Sequence, residues 1–599
     1  MKLDEFYSGN SFDSYTWLGA HNDGNGTMFR VFAPNAAAVS VIGSFNGWNE
    51  SPMSRIGDGS FWGLYISGAK AGDLYKYRVH SEDGFTDRAD PYAFGAQLRP
   101  ETASVIRDTG YIFSDLEWMQ RRGTWHGDAL NIYEVHLGSW RTHPDRENGW
   151  YTYEEIAPKL VAYCKANGFN CIEIMPLSEY PCDESWGYQA TGFFAPTARY
   201  GEARGLKKLV DVCHKSNIAV LMDFIPVHFA VDGYALAKYD GMPLYESEYD
   251  SIAYSEWGSC NFDFSKGTVC SFLKSAANYW LTEYHFDGLR MDAISRVIYW
   301  QGDPQRGENV NGTAFLKSLN RGLKWIHPSA ILCAEDSTDF PNVTKPLDEG
   351  GLGFDYKWDM GWMNDTLDFF RKTPSERVDN YHKLTFSMLY NYSERFILPL
   401  SHDENVHGKA TVLQKMHGVY EDKFPQARAM YMYMYAHPGK KLLFMGSEFG
   451  QLREWDEKRA QDWDILTYPV HDAFALFMKK LCRLYLRRLS LSRWDDTPDG
   501  FRWLDCSSNG LCAYAFERSC DGEKPVAAVF NFSDRLHRGY TLDIGKGKRL
   551  VSLLDSTADE FGGAFPHYPK SAKADTNGRV HFDLPPYSAA YFELADAKK

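Results

Sequence analysis

Hydrophobic and polar positions fall into three textures along the chain. Up to about residue 115, alternating runs such as MFRVFAP, AVSVIGSF, GLYIS and LYKYRVH are separated by turns rich in Gly, Asn and Asp. A period of two with that punctuation predicts the strands of a small antiparallel sandwich, and no helical period is visible there. From about 126 to 490, short apolar runs alternate with helical stretches, and from about 495 the alternating pattern returns in LCAYAFER, PVAAVFNFS and SAAYFEL. The expected division is an N-terminal β-sandwich at 1–115, a central domain at 116–490 and a C-terminal all-β domain at 491–599.

The central region contains eight strand-like runs: NIYEVHLGSW (131–140), FNCIEIMPL (169–177), IAVLMDFIPVH (218–228), FDGLRMDAI (286–294), AILCAEDS (330–337), GFDYKWDM (353–360), RFILPLSHDE (395–404) and KKLLFMGSEFG (440–450). Amphipathic helical stretches lie between several of them. In YEEIAPKLVAYCKANG, for example, Ile156, Leu160 and Cys164 recur every four residues before the stop at Gly168. Eight strands alternating with helices predict an α/β fold, a (β/α)8 TIM barrel, flanked by the two β-domains. A doubly wound open sheet is the alternative, but no GxGxxG turn follows a first strand as dinucleotide binding requires.

Charged residues gather at the ends of these runs. The third ends in Asp223 and His228, the fourth in Arg290 and Asp292, the fifth in Glu335 and Asp336, and the seventh in His402 and Asp403. Strand side chains alternate between faces, so Arg290 and Asp292 project into one space while Leu289 and Met291 pack on the other side. Each ending taken alone has a structural explanation: an ion pair at a strand end, a loop cap or a hydrogen-bonded core histidine. Four together, on the rim where barrels keep their chemistry, point to a functional carboxylate cluster.

Composition narrows the ligand. The net charge is -15 with both signs mixed along the 599 residues, which argues against nucleic acid or an anionic membrane as the main partner and leaves room for a neutral one. Aromatic residues make up 16% of the chain, many in polar, loop-like segments, and sugar rings stack on such faces. Eleven cysteines without CxxC pairs or metal-ligand spacing fit reduced thiols better than a disulfide framework. The start MKLDEFYSGN lacks the basic segment and apolar run of a signal peptide, and no apolar segment approaches a membrane span. The expectation is a soluble, cytoplasmic monomer with no nucleic-acid or membrane partner.

Several carboxylates with Arg and His, and no cofactor motif, suit glycoside chemistry, in which one carboxylate attacks the anomeric carbon while another protonates the leaving oxygen. A divalent metal site built from carboxylates and His is the alternative. Arg290 beside Asp292 counts against it, because a guanidinium keeps its carboxylate ionised, as a nucleophile needs, whereas a proton donor needs burial or neighbouring negative charge. Glu335 near Asp292 and Asp403 would have that environment.

DFIPVH, GLRMDAI, CAEDS and LSHDE, in this order and at these intervals, resemble the four signature regions of the alpha-amylase superfamily of glycoside hydrolases. The resemblance implies that Asp292 is the nucleophile, Glu335 the general acid/base and Asp403 a third carboxylate that grips the sugar hydroxyls. It further implies that Arg290 orients Asp292, that Asp223 supports the site and that His228 and His402 hydrogen-bond the sugar. YEVHLGSWR, SWGYQATGFFAPTARYG, YWQGDPQRGENVNG, SHDENVHGK and GSEFGQLREWDEKRAQDWDIL are similar to the branching enzymes of that superfamily, in their bacterial form, and the likeness covers nearly the whole chain. On this likeness the first domain, with VFAPNAAAVSVIGSFNGWN, is a carbohydrate-binding module, and the tail ending LPPYSAAYFEL is the C-terminal β-domain. Tyr188 in WGYQ matches the aromatic under the reacting sugar, while Trp186, Trp48 and Trp62 are read as packing residues.

The implied reaction is a retaining double displacement that moves an alpha-1,4-glucan segment onto a glucose 6-hydroxyl, making an alpha-1,6 branch in glycogen. One glycosidic bond is exchanged for another, so neither a metal nor a cofactor is implied, and the partner is an alpha-glucan chain. A retaining site predicts the Asp292 and Glu335 carboxyl groups about 5 to 5.5 Å apart. Hydrolysis by an enzyme of the same superfamily, of the debranching or trehalose-releasing type, shares the covalent intermediate, and a silent glucan-binding relative is a third alternative. Two departures stand out: the front of the chain is too short for the additional N-terminal module of some members, and Asn405 follows LSHDE where an apolar residue is expected.

Overall fold

The computed structural model describes residues 1–82 and 84–597. Eight parallel strands close into a barrel in chain order. They are β1 (Asn131–Val135), β2 (Cys171–Ile174), β3 (Ala219–Phe224), β4 (Gly288–Met291), β5 (Ile331–Ala334), β6 (Tyr356–Trp358), β7 (Phe396–Leu400) and β8 (Lys440–Phe444). Each lies inside one of the eight predicted runs. The runs overshoot because their later residues leave the strand. After β1, for instance, Leu137–Trp140 turn into a short helix.

Barrel closure rests on mostly apolar runs whose few charged residues, among them Asp223 and Arg290, are buried with the rest. All the side chains of β2, β3, β4, β5, β7 and β8 are buried, the pattern of parallel strands covered on both sides. The predicted helix forms over Tyr153–Asn167, with Ile156, Leu160 and Cys164 buried and Gly168 in a left-handed conformation that ends it. At Gly288 the fold tolerates no side chain, since a Cβ there would stand 2.1 Å from the Ile331 carbonyl oxygen on β5.

Ahead of the barrel, strands between Gly19 and Val105 form two antiparallel sheets, one of four strands and one of five. Phe29 of one sheet meets Tyr75 of the other edge to face, ring centres 5.0 Å apart. The sequence showed no helix here, yet Leu3–Tyr7 is helical, with Phe6 packed on Phe32 and Phe61. Five residues are too few for a 3.6-residue period to declare itself. Trp62 is buried and donates to the Ala33 carbonyl, whereas Trp48 is 43% exposed. Beyond Phe501, a six-stranded and a two-stranded antiparallel sheet enclose a core that includes Val529, Leu550, Tyr568 and Phe592.

Two compact units can be distinguished. One comprises Met1–Gly123, His136–Val161 and Glu173–Asp355, and the other comprises Thr124–Val135, Ala162–Ile172 and the chain from Tyr356 onward. All eleven cysteines are free thiols. Among the described residues no helix is long and apolar enough to cross a membrane, and no group of His, Cys, Asp and Glu is arranged to hold a metal ion.

Candidate active site

In the first unit the site is built around one guanidinium. Arg290, the third residue of β4, is buried, and its Nη1 donates to Asp223 Oδ1 at 2.6 Å and to Asp292 Oδ1 at 2.8 Å. Its Nη2 lies 3.7 Å from Glu335 Oε2. β3 and β4 pair with Asp223 opposite Arg290, so the register of two adjacent strands delivers both partners without help from a loop. Asp223 also accepts a 2.5 Å hydrogen bond from the Tyr188 hydroxyl. Tyr188 is therefore joined to the cluster through its polar end, while its ring remains half-buried.

Electrostatics follow from this crowding. Burial by itself would lower the Arg290 pKa. Asp223 foremost, then Tyr188, Asp292 and Glu335, outweigh burial and hold it well above the usual arginine value. The guanidinium is thus a fixed positive charge facing three carboxyl groups. Asp223 is almost fully buried, whereas the Asp292 and Glu335 side chains keep 14% and 16% exposure, enough to be reached from outside.

The turn after β4 contributes a residue that the sequence did not reveal. Ala293 has φ +46°, the left-handed region that a residue with a Cβ occupies at a cost. Its N–H donates to Glu335 Oε2 at 2.7 Å, and the Ile294 N–H donates to the Glu335 carbonyl at 3.0 Å. The strained turn that begins at Asp292 thereby holds Glu335 from two sides. Asp336, next along, serves structure: its carboxylate accepts from the N–H and hydroxyl of Thr338.

His228 lies beyond β3 on a two-residue strand paired with Cys260–Asn261. Its ring centre is 5.3 Å from that of Trp257. Burial, with a lesser push from Arg296, lowers its pKa to about 4, so the imidazole is neutral near pH 7.

In the second unit, His402 and Asp403 follow β7. His402 is buried, with Nδ1 2.6 Å from Glu134 Oε1, and its backbone N–H donates to Glu134 Oε2 at 2.9 Å. Glu134, on β1, thus fixes both the tautomer and the orientation of the ring. It is the second residue missed from sequence, although a buried acid inside the apolar run NIYEVHL was itself a signal. Asp403 is exposed between buried His402 and Glu404. The Asn405 departure has a structural role: its side chain bonds to Ser401 O and Val412 N, spanning the loop that carries His402 and Asp403.

An N-terminal β-module, a closed (β/α)8 barrel whose strand ends carry carboxylates around a buried arginine, and a C-terminal β-domain together define an enzyme of the alpha-amylase class. Residues 17–93 match the carbohydrate-binding module 48 (isoamylase N-terminal domain) family, and residues 503–595 match the alpha amylase, C-terminal all-beta domain family. In fold the chain is similar to a putative alpha amylase from Salmonella typhimurium, with a TM-score of 0.72 at 19% identity over 97% of this chain and 100% of that one. It is equally similar to a pullulanase from Bacillus acidopullulyticus, with a TM-score of 0.72 at 18% identity over 96% of this chain and 74% of that one. The 1,4-alpha-glucan branching enzyme GlgB of Bacillus cereus (strain AH187) is 39% identical over 100% of this chain and 95% of its own length. Those of Bacillus caldolyticus and Geobacillus stearothermophilus are 42% and 40% identical, over 93% and 96% of this chain and 85% and 91% of theirs. The chain belongs to the 1,4-alpha-glucan branching enzyme family.

Proposed function

We propose that this enzyme cleaves alpha-1,4-glucan chains and transfers the released segment to a glucose 6-hydroxyl, forming alpha-1,6 branches in glycogen by a retaining double displacement. The carrying observation is the shared Arg290 guanidinium, 2.8 Å from Asp292, in a chain that aligns along its full length with branching enzymes. Paired to a permanent cation, Asp292 stays ionised and attacks the anomeric carbon. Glu335, aimed by the Ala293 N–H, protonates the departing oxygen and later takes the proton of the acceptor hydroxyl. One cation facing three carboxyl groups is the charge balance that lets one of them carry that proton while another remains ionised.

Asp403 grips the hydroxyls of the distorted sugar, His402 and His228 hydrogen-bond it, and Tyr188 lies under its ring. His228, neutral at working pH, both donates and accepts. The reaction needs no cofactor or metal. The same reading assigns 1–115 to a carbohydrate-binding module, 116–490 to the catalytic barrel and 491–599 to the C-terminal β-domain. It places a monomer in the cytoplasm, with alpha-glucan as its partner and neither nucleic acid nor membrane.

Incubation with linear alpha-1,4-glucan, followed by proton NMR of alpha-1,6 linkages alongside reducing ends, tests the reading. Branches with little net gain in reducing ends support it. Reducing ends rising without branches would make the enzyme a hydrolase, and no change in either would remove the activity altogether.

A further inference from the structure

The loop from Ser401 to Val412 is held at more points than its length requires. Asn405 Nδ2 donates to Ser401 O at 2.8 Å, Asn405 Oδ1 accepts from Val412 N at 3.3 Å, and Asn405 O accepts from Trp455 N at 2.9 Å. The buried side-chain amide therefore ties the first residue of the loop to the last, and the backbone carbonyl of the same residue ties the middle to a neighbouring segment. The outer half is caught by Glu454, whose carboxylate accepts from Gly408 N at 2.9 Å and Ala410 N at 2.6 Å. From beneath, the buried Lys415 ammonium donates to the carbonyls of Glu404 and Ala410. His407, Gly408 and Ala410 all have positive φ, so this turn is a shape the chain would not hold unaided.

Asp403 sits between two pinned carbonyls, those of Ser401 and Glu404, and beside His402, whose backbone N–H is fixed by Glu134. We propose that Asn405 is a positioning residue for Asp403: with Lys415 and Glu454 it clasps the loop so that the carboxylate meets the sugar in one fixed geometry. This rests on the role given to Asp403 under the proposed function. An apolar residue at 405 makes neither side-chain bond and leaves Ser401 O and Val412 N to find other partners. The carboxylate then has to be ordered during each turnover, and the penalty falls on kcat.

The test is a double-mutant cycle on turnover of maltosyl fluoride and on glucan branching. Asn405→Val is expected to lower kcat about tenfold with KM within about twofold, and to raise amide exchange in 401–412 without changing exchange in the barrel helix Pro469–Arg487. In an Asp403→Asn background the same change should have no further effect on kcat. A full additional tenfold loss in that background, or parent kcat in a folded Asn405→Val protein, overturns the proposal. Should Asn405→Val fail to fold, the half-exposed Glu454 carries the test. Glu454→Ala should lower kcat about threefold, again only while Asp403 is present, and parent kcat would overturn the proposal. A parent enzyme that turns over the fluoride without making branches contradicts the functional reading and leaves this cycle intact.

Discussion

At the scale of single residues, one arginine does what a lysine cannot. Arg290 holds Asp223 and Asp292 from a single nitrogen while its other nitrogen faces Glu335. A planar, always-charged fork does this with fixed geometry, whereas an ammonium on a flexible stem is a point charge. Arg290→Lys is therefore expected to lower kcat by about 10²-fold or more, with a smaller effect on glucan binding, as initial rates across a substrate series would show. Asp292→Ala should lower turnover by at least about 10⁴-fold in a protein whose thermal unfolding remains cooperative. Near-parent activity in that folded variant would remove the nucleophile assignment. Residue chemistry was legible to an unequal degree. Asp223, Arg290 and Asp292 stood out because charges ended apolar runs, but Ala293 could not, since nothing in its side chain reports a positive φ.

At the scale of elements, the eight strands were visible because each is a short, mostly apolar run, the signature of a strand covered on both faces, and several of them alternate with helical stretches. Their ends were not. The strands stop two to six residues before the predicted runs do, and the residues beyond them, among them Asp292, Asp403 and Glu335, belong to turns that follow the strands without a Gly or Pro break at the boundary to mark it. The Leu3–Tyr7 helix was illegible for the opposite reason, being shorter than two turns. Gly288 is an element-scale position with little latitude, because β4 and β5 approach there with only 2.1 Å between a Cβ position and a backbone oxygen. Gly288→Ala must push apart the strands that align Arg290 and Glu335. The expected cost is about 3 to 4 kcal/mol of stability, read from urea unfolding, together with loss of activity in the folded fraction. A change under about 0.5 kcal/mol would mean that the strands can separate freely.

At the scale of the whole molecule, β3 and β4 carry the Arg290 cluster toward their ends and a second buried charged cluster at their starts. His214 is buried between Asp115 and Asp287, 2.7 Å from the first and 3.0 Å from the second. Asp287, immediately ahead of β4, also accepts from Trp118, Arg122 and the Val220 N–H, so the segment leaving the N-terminal module is tied to the starts of β3 and β4. Burial would lower the His214 pKa, but Asp287 and Asp115 raise it from 6.5 to about 9. A raised histidine contributes stability that is complete below its unfolded value and disappears as pH rises through its folded one. The stability difference between the parent and His214→Asn should thus be greatest below pH 6.5 and shrink toward pH 9, as paired thermal melts would show. A difference that grows with pH would reverse the assignment of charge.

The central claim, a covalent glucosyl intermediate on Asp292, can be tested by trapping. In Glu335→Gln, maltotriosyl fluoride needs no protonation to expel fluoride, so the first displacement proceeds while the second, deprived of its base, stalls. After acid quenching and pepsin digestion, mass spectrometry of the peptide containing Asp292 should show it heavier by intact glucosyl units. An unmodified peptide under conditions where fluoride is released, or a label on Asp403 instead, would contradict the account.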